Sequence, residues 1–307
     1  MAISAKDVAE LRRKTGAGMM ECKKALTETN GDFDEAVKYL RESGVAVAAK
    51  KADRIAAEGR VDILTEGDVT AMVEINTETD FVANTDTFKA FVKDVLAAAI
   101  KNRPADLDAL LAGKMSDTQT VGEALTEQIA NTKENIKIRR FVIVDGLVST
   151  YIHGNGVTGV IVSFSGDDAA LKSEGFDEYS KNVALQVAAM NCLYLDRDHV
   201  PQTAIDDEKE VIMRTIKNDP ANEKKPANII EKMATGRLGK FFETYCLVDQ
   251  VYIKDDSLTI AKYTDATAKA LGGALKIEGF VRFDKGEGLE KRSDDLAAEI
   301  EKLVGKN

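Results

Sequence analysis

The sequence predicts an α+β protein with several distinct parts. Three observations support this class: short capped helices fill the first 45 residues, alternating apolar residues further on pair into hairpins, and each hairpin precedes an amphipathic helix. A length of 307 residues is sufficient for two or three compact units. Helices and strands are therefore expected to occupy separate stretches of the chain, as in α+β folds.

Residues 1–57 are predicted to form a small helical module and a linker. Ser4 and Asp32 each begin a capping-box pattern, and a further helix is expected over residues 18–29. The third helix is expected to end before Gly44, since glycine commonly ends helices. The apolar residues predicted to face inward are Val8, Leu11, Phe33, Val37 and Leu40.

Residues 58–140 are predicted to be the first half of a core. Residues 61–64 and 69–75 form a hairpin with a turn at residues 66–68, and Asp86 is expected to cap the following helix. The apolar face of that helix consists of Phe88, Phe91, Val92, Val95 and Leu96. The helical pattern over residues 104–131 indicates no chemistry.

Residues 141–200 and 236–263 are predicted to form the second half of the core, because the pattern returns at an offset of 88 residues. Strands are expected over residues 141–151 and 157–164, and a helix over residues 176–190. The matching pairs are Val69 with Val157, Phe88 with Phe176, Phe91 with Tyr179, and Val95 with Val183. An internal duplication is therefore predicted.

Residues 201–235 are predicted to be an inserted antiparallel helical hairpin. Its apolar stripe consists of Ile205, Val211, Ile212 and Ile216 on one helix and Ile229, Ile230 and Met233 on the other. We expect this face to lie either on the core or on a second copy of the chain, and the second case would make the protein a homodimer. Strand-like sequence resumes over residues 241–253. Residues 264–307 form a C-terminal module with a helix, a strand over residues 274–283 and a tail helix from Ser293.

Composition restricts the function. A net charge of −10 argues against a protein that binds nucleic-acid phosphates or anionic lipid directly. The three cysteines are far apart, which predicts neither a disulfide scaffold nor a zinc site and suits a reducing compartment. A charged N-terminal segment without an apolar run favours the cytoplasm. No stretch approaches the roughly 20 apolar residues of a membrane span, so the expected partners are proteins or small ligands.

Two glycine-rich motifs are predicted to have no nucleotide-binding role. Residues 154–159 match G-x-G-x-x-G, but a β-branched strand follows them where a dinucleotide fold needs a helix. Residues 236–240 lack the spacing and the hydroxyl residue of a phosphate loop. His153 and His199 stand outside any metal or triad pattern. We therefore expect no catalytic residue, metal site or cofactor.

Residues 77–86 are the unusual segment, because a loop of Thr, Asp and Asn contains Phe81. In one interpretation Phe81 packs into the protein's own core and Asp80 is a turn residue. In the other, Asp80 and Phe81 enter a pocket of a partner. Met19 and Met20 pose the same choice, since flexible methionines suit both cores and binding surfaces. A metal-dependent enzyme using Glu78, Asp80 and Asp86 is the disfavoured alternative, because no nucleophile or base accompanies them.

Several strings resemble the bacterial elongation factor Ts family, the guanine-nucleotide exchange factors of elongation factor Tu. They cover essentially the whole chain in the family's order. The strings are residues 11–26, Thr79-Asp80-Phe81-Val82, residues 134–140, Tyr151-Ile152-His153-Gly154, residues 279–283 and Gly286-Glu287-Gly288.

The resemblance implies a ubiquitin-associated-like N-terminal module, a two-part core, a helical dimerisation arm and a C-terminal segment that packs on the partner. It further implies that the Thr-Asp-Phe-Val loop enters the nucleotide-binding domain of elongation factor Tu. The residues to which partner contacts are thereby assigned are Arg12, Met19, Met20, Asp80, Phe81, Val82 and His153. A translation-associated scaffold that binds without driving exchange is an open alternative.

Two positions depart from the family's pattern. Many members have Gly directly before the Glu-Asn-Ile block, where this chain has Lys133, and Pro after Gln, where this chain has Val251. The partner contacts that the resemblance implies are therefore carried over less directly near these two positions.

Overall fold

The computed structural model describes residues 3–190, 192–222 and 225–290, and these form two compact units. Among the described residues, unit 1 holds the chain up to Val144, the short stretch Gly154–Val157, and the chain from Phe283 onward. Unit 2 holds Asp145–His153 and Thr158–Arg282. Both units combine helices with sheets, which confirms the predicted α+β class. The five-part division of the chain and the internal duplication stay predictions.

The helices and strands have the following bounds. The helices are α1 Ala5–Thr15, α2 Met19–Glu28, α3 Phe33–Lys51, α4 Asp80–Ala83, α5 Asp86–Asn102, α6 Leu107–Ala112, α7 Val121–Thr132, α8 Asp168–Leu171, α9 Glu174–Ala189, α10 Gln202–Asn218, α11 Ala227–Tyr245 and α12 Ile260–Leu271. The strands are β1 Glu58–Glu66, β2 Val69–Thr77, β3 Lys137–Asp145, β4 Val148–His153, β5 Thr158–Gly166, β6 Val251–Tyr252, β7 Asp255–Thr259 and β8 Leu275–Asp284.

The first three helices enclose a small core of their own. Val8 and Leu11 are buried as predicted, whereas Phe33, Val37 and Leu40 are partly buried at its edge. The side chain of Ser4 caps α1 in the predicted capping box.

The prediction that α3 ends before Gly44 is wrong, because the helix continues to Lys51. Gly44 is buried where α3 passes α7, and a Cβ atom there would lie 3.4 Å from the Cβ of Ala130. The position therefore has room for a small residue only, and the glycine does not end the helix. The predicted linker over residues 45–57 is largely the end of α3.

The sheet of unit 1 has the order β1-β2-β3, so β2 is its central strand. β1 and β2 are antiparallel and joined by the two residues Gly67 and Asp68, close to the predicted hairpin. The apolar face of α5 packs on β2 through the residues predicted from the sequence. The predicted cap Asp86 is wrong by one position, because the side chain of Thr85 accepts the cap hydrogen bond from the N–H of Phe88.

In unit 2, the sheet has the order β4-β5-β8, and α9 packs on β4 and β5. The single strand predicted over residues 141–151 is wrong. The chain turns at Gly146, which has φ of 93°, and so divides this stretch between β3 and β4 in different sheets. Residues 154–159 form the turn between β4 and β5 and the start of β5. A strand therefore follows the G-x-G-x-x-G match, as predicted.

The helices α10 and α11 pack on each other around Ile212, Ile216 and Ala234. Val211 and Ile229, predicted to share the apolar stripe, are exposed instead. The strand predicted from residue 241 is also wrong at its start, since α11 continues to Tyr245. The rejected phosphate-loop candidate over residues 236–240 lies inside α11.

The predicted tail helix from Ser293 lies outside the described residues. Within the residues that the structure describes, no helix combines the length and the apolar character that a membrane crossing requires.

Candidate functional site

The Thr-Asp-Phe-Val loop folds into the single-turn helix α4, directly after the central strand β2. The side chain of Thr79 begins this helix by accepting a hydrogen bond of 3.4 Å from the N–H of Val82. The backbone N–H and the side-chain amide of Asn84 both donate to the carbonyl of Asp80, at 3.0 and 2.9 Å. The loop therefore has a defined conformation around Phe81.

α4 turns one side toward the core of unit 1 and the other toward solvent. Ala83 is buried, and Val82 is partly buried against the core of unit 1. Asp80 is exposed, and Phe81 is 83% exposed. The interpretation that tucked Phe81 into the protein's own core is therefore wrong, because α4 presents the ring to solvent.

The base of the loop is held by Glu134, which follows α7. Its carboxylate accepts three hydrogen bonds: from the backbone N–H of Glu78 at 3.1 Å, from that of Thr79 at 3.1 Å, and from the Thr79 hydroxyl at 2.6 Å. In return, the carboxylate of Glu78 accepts from the N–H of Asn135 at 2.7 Å. Two glutamates thus join the loop to the end of α7.

Glu78 is committed to structure rather than free to bind a ligand. Besides Asn135, its carboxylate contacts the guanidinium of Arg54 at 3.4 Å. The side-chain amide of Asn135 donates to the carbonyls of Ala52 and Arg54. In the described part of the chain, no three His, Cys, Asp or Glu residues are grouped so that they could bind a metal ion.

The tip of the β4–β5 turn, residues 154–157, belongs to unit 1 and contacts the same region. The side-chain amide of Asn155 donates to the side-chain oxygen of Asn84 at 3.0 Å, and the carbonyl of Gly156 accepts from the N–H of Val61 at 2.8 Å. His153 lies just before this tip, in unit 2. It is exposed, and its Nδ1 is 3.3 Å from the hydroxyl of Tyr151.

In the N-terminal module, the candidate residues are exposed. Met19 and Met20 begin α2 and are 46% and 76% exposed, and Arg12 is exposed on α1. Glu21 contributes to the cap at Gly18, whose N–H donates to its carboxylate at 3.2 Å. The ammonium of Lys133 forms an ion pair with the same carboxylate.

Glu134 was not among the site residues predicted from the sequence, and Lys133 was noted only as a departure from the family's pattern. The signal at Lys133 was the glycine that the resemblance implies at this position, directly after a predicted helix. Lys133 indeed has φ of 61° at the end of α7, in the left-handed region that glycine favours.

The three cysteines are buried, and burial disfavours the thiolate form of each. Burial raises the pKa of the Cys192 thiol to about 12 and that of the Cys246 thiol to about 11. Burial likewise raises the pKa of Cys22. A neutral thiol is a poor nucleophile, because the thiolate is the reactive form.

Comparison with known proteins gives a consistent result. A family model described as Elongation factor TS matches residues 78–287. The chain is 44% identical to a protein named Elongation factor Ts from Clostridium botulinum (strain Eklund 17B / Type B), and 46% identical to one of the same name from Syntrophotalea carbinolica (strain DSM 2380 / NBRC 103641 / GraBd1). Each alignment covers 99% of this chain and 100% of the relative.

Proposed function

The chain belongs to the elongation factor Ts family, and from this premise we propose that it promotes GDP release from elongation factor Tu by inserting the Thr79–Val82 loop into its partner. The exposure of Phe81 on a hydrogen-bonded turn is the single observation that supports this loop. Burying a phenylalanine side chain contributes about 1.5–3 kcal/mol. That free energy is not used in the isolated chain and becomes available when Phe81 enters a pocket of the partner.

Exchange by this route needs no covalent chemistry. Magnesium on a bound nucleotide requires nearly octahedral oxygen ligands at about 2.0–2.1 Å, so a small displacement of the partner's ligands weakens the ion sharply. Insertion of Phe81 next to the magnesium and phosphate site would produce such a displacement. Loss of magnesium then removes the charge that holds the phosphates, and GDP leaves.

Release of the factor follows from reciprocity. If the bound factor lowers the affinity of elongation factor Tu for nucleotide, bound nucleotide lowers the affinity for the factor by the same amount. A new nucleotide therefore displaces the factor. Because of this coupling, the factor can act repeatedly, and it does not have to supply energy.

The remaining candidate contacts supply affinity rather than displacement. We assign this part to Arg12, Met19 and Met20 in the N-terminal module and to His153 before the β4–β5 tip. Exposed methionines adapt to a partner surface, and arginine is enriched in protein interfaces. We place this activity in the cytoplasm, and we propose that the exposed Val211 and Ile229 of the helical hairpin contribute to a homodimer.

The decisive experiment measures release of a fluorescent GDP analogue from elongation factor Tu. At saturating factor, Phe81→Ala is expected to slow release by about tenfold or more, because loss of an anchoring aromatic typically removes more than 1 kcal/mol. Phe81→Leu is expected to be intermediate. Val45→Ala, at another exposed apolar position, is the matched control and is expected to release GDP at the unaltered rate.

Two results would contradict the proposal. Release that is as fast with Phe81→Ala as with the unaltered chain would remove the role of the loop. Binding of the unaltered chain to elongation factor Tu without any faster release would favour the scaffold alternative.

A further inference from the structure

Three consecutive residues at the end of α7 contact three separate segments of unit 1. Lys133 pairs with Glu21 in the first turn of α2, and Glu134 accepts hydrogen bonds from Glu78 and Thr79. Asn135 donates to two carbonyls in the segment that follows α3. We call Lys133–Asn135 the α7 anchor. It joins the N-terminal module and the Phe81 loop to one point in the fold.

Glu134 is the member of the α7 anchor that bears on Phe81. Its two carboxylate oxygens accept from three donors, all of which lie within one dipeptide, Glu78-Thr79, more than 50 residues away in sequence. Hydrogen bonds to an ionised acceptor are shorter and stronger than neutral ones. The 2.6 Å bond from the Thr79 hydroxyl is of this short kind.

The bonds from Thr79 continue directly into α4. The same Thr79 oxygen that donates to Glu134 accepts from the N–H of Val82, and so fixes the turn that carries Phe81. A four-residue helix has no intrinsic stability, because nucleation of an isolated turn is unfavourable. The conformation of α4 therefore depends on contacts outside it, and Glu134 provides three of them at its N-terminal end.

We infer that Glu134 is a positioning residue for nucleotide exchange, which acts by holding α4 so that Phe81 is oriented before the partner arrives. This inference rests on the proposed role of the Phe81 loop. Preorganisation removes the entropy of ordering the loop from the insertion step. Loss of Glu134 should therefore slow exchange through Phe81, while the other partner contacts are retained.

The first test compares Glu134→Ala and Glu134→Gln with the matched control Glu66→Gln, an exposed glutamate on the β1–β2 hairpin. Glu134→Ala is expected to lower the maximal rate of GDP release about tenfold or more, because all three charge-assisted hydrogen bonds to its carboxylate are lost. Its half-saturating concentration should change by less than about threefold. Glu134→Gln, which keeps one acceptor oxygen, should lie between. A rise in half-saturating concentration with an unchanged maximal rate would overturn the inference.

A double-mutant cycle separates this inference from the proposed function. If Glu134 acts through Phe81, Glu134→Ala should slow release in the unaltered chain and have no further effect in the Phe81→Ala chain. An equal effect in both backgrounds would overturn the positioning role and leave the proposed function standing. Slower release with Phe81→Ala alone supports the role of the loop, whereas release at the unaltered rate contradicts the proposed function itself.

A measurement without the partner covers the case of altered folding. The chain contains no tryptophan, so Phe81→Trp places a single fluorescent reporter at the loop. We expect Glu134→Ala to lower the steady-state anisotropy of this reporter, while the far-ultraviolet circular dichroism of the chain is retained. Thr79→Ser, which keeps the hydroxyl, should preserve the anisotropy, and Thr79→Val should lower it. Unchanged anisotropy in Glu134→Ala would overturn the inference.

Discussion

Lys133 has an unfavourable backbone conformation for a lysine. It ends α7 with φ of 61° and ψ of 21°, where a residue with a Cβ atom is less stable than glycine by about 1–2 kcal/mol. Its ion pair with Glu21 joins two side chains that are each nearly half exposed. Such surface pairs contribute about 0–1 kcal/mol. The ion pair therefore does not offset the cost of the left-handed conformation. We attribute the presence of a lysine at this position to its contact with Glu21, which orients α2.

This balance predicts the effects of two substitutions. Lys133→Gly should stabilise the chain by up to about 1 kcal/mol, because it relieves the left-handed conformation and loses a weak pair. Lys133→Ala should destabilise the chain slightly, since it keeps the conformation and loses the pair. Urea unfolding measures the free energies of unfolding of the unaltered chain and the two variants. Hydrogen exchange of the α2 amides should be faster in both variants than in the unaltered chain. A glycine variant less stable than the alanine variant would contradict this argument.

For Phe81, the sequence could raise the question of its location but could not answer it. An aromatic residue in a Thr- and Asp-rich loop is compatible with a buried ring and with an exposed one. In the structure, the carboxylate of Glu134 accepts hydrogen bonds from Glu78 and Thr79, at the point where the chain leaves β2. Local patterns contain no information on a partner so distant in sequence.

Helices and strands whose apolar residues repeat regularly were predicted well. Predictions of where a helix ends were less accurate. The β1–β2 hairpin follows its alternating residues and its Gly67 turn. In contrast, α3 continues past Gly44, and the aromatic run at Phe241 remains helical. Glycine favours helix ends and aromatic residues favour strands, but both preferences are weak. At Gly44, packing of α3 against α7 overrides the preference.

The packing of α3 on α7 predicts the effect of a larger side chain at Gly44. Gly44→Leu should destabilise unit 1 by about 1–3 kcal/mol, because the added side chain has to displace Ala130 and Thr126, which lie 3.4 and 3.6 Å from the new Cβ. Gly44→Ala should be neutral or stabilising by up to about 1 kcal/mol, since alanine favours the helix and its methyl group fits at contact distance. Thermal unfolding of both variants is the measurement. Equal destabilisation by both would show that backbone conformation, rather than packing, requires the glycine.

In the whole molecule, unit 1 is closed by contacts between segments far apart in the chain. Glu74 on the central strand β2 is fully buried, and its carboxylate accepts from Arg139 at 3.0 Å, from Arg140 at 2.6 Å, and from the N–H of Gly286 at 2.8 Å. The ring of Phe283 also packs under the guanidinium of Arg140. One carboxylate thus joins β2, β3 and the segment after β8.

This closure could not be predicted from the sequence. The Arg139-Arg140 pair and the Gly286-Glu287-Gly288 string were visible as family blocks, but their common partner Glu74 was not among the residues considered. In a strand that alternates apolar and polar residues, a glutamate is normally expected on the solvated face. Its burial depends on the two arginines of β3 and on the return of the chain after β8, which brings the N–H of Gly286 to the carboxylate.

The Glu74 contacts predict how the stability of unit 1 depends on pH. Burial alone would raise the pKa of the Glu74 carboxyl, but hydrogen bonds from Gly286, Asn76, Arg140 and Arg139 outweigh it and hold the pKa below the usual 4.5. A depressed folded-state pKa means that the unfolded chain binds the proton first as the pH falls. The stabilisation is therefore complete above about pH 5.5 and is lost as the pH falls below 4.5 toward the folded-state pKa.

Glu74→Gln isolates this effect from the other carboxylates. At pH 7 the variant should be less stable by about 3 kcal/mol, because two arginines lose their shared counter-charge and an NH2 group replaces one of the two acceptor oxygens. As the pH falls below 4.5, the difference between the two chains should shrink, since the unaltered chain loses a contribution that the variant never had. Urea unfolding between pH 7 and pH 3.5 measures both curves. Parallel curves would mean that Glu74 has the same pKa in the folded and unfolded chains, and that the buried carboxylate does not couple the closure of unit 1 to pH.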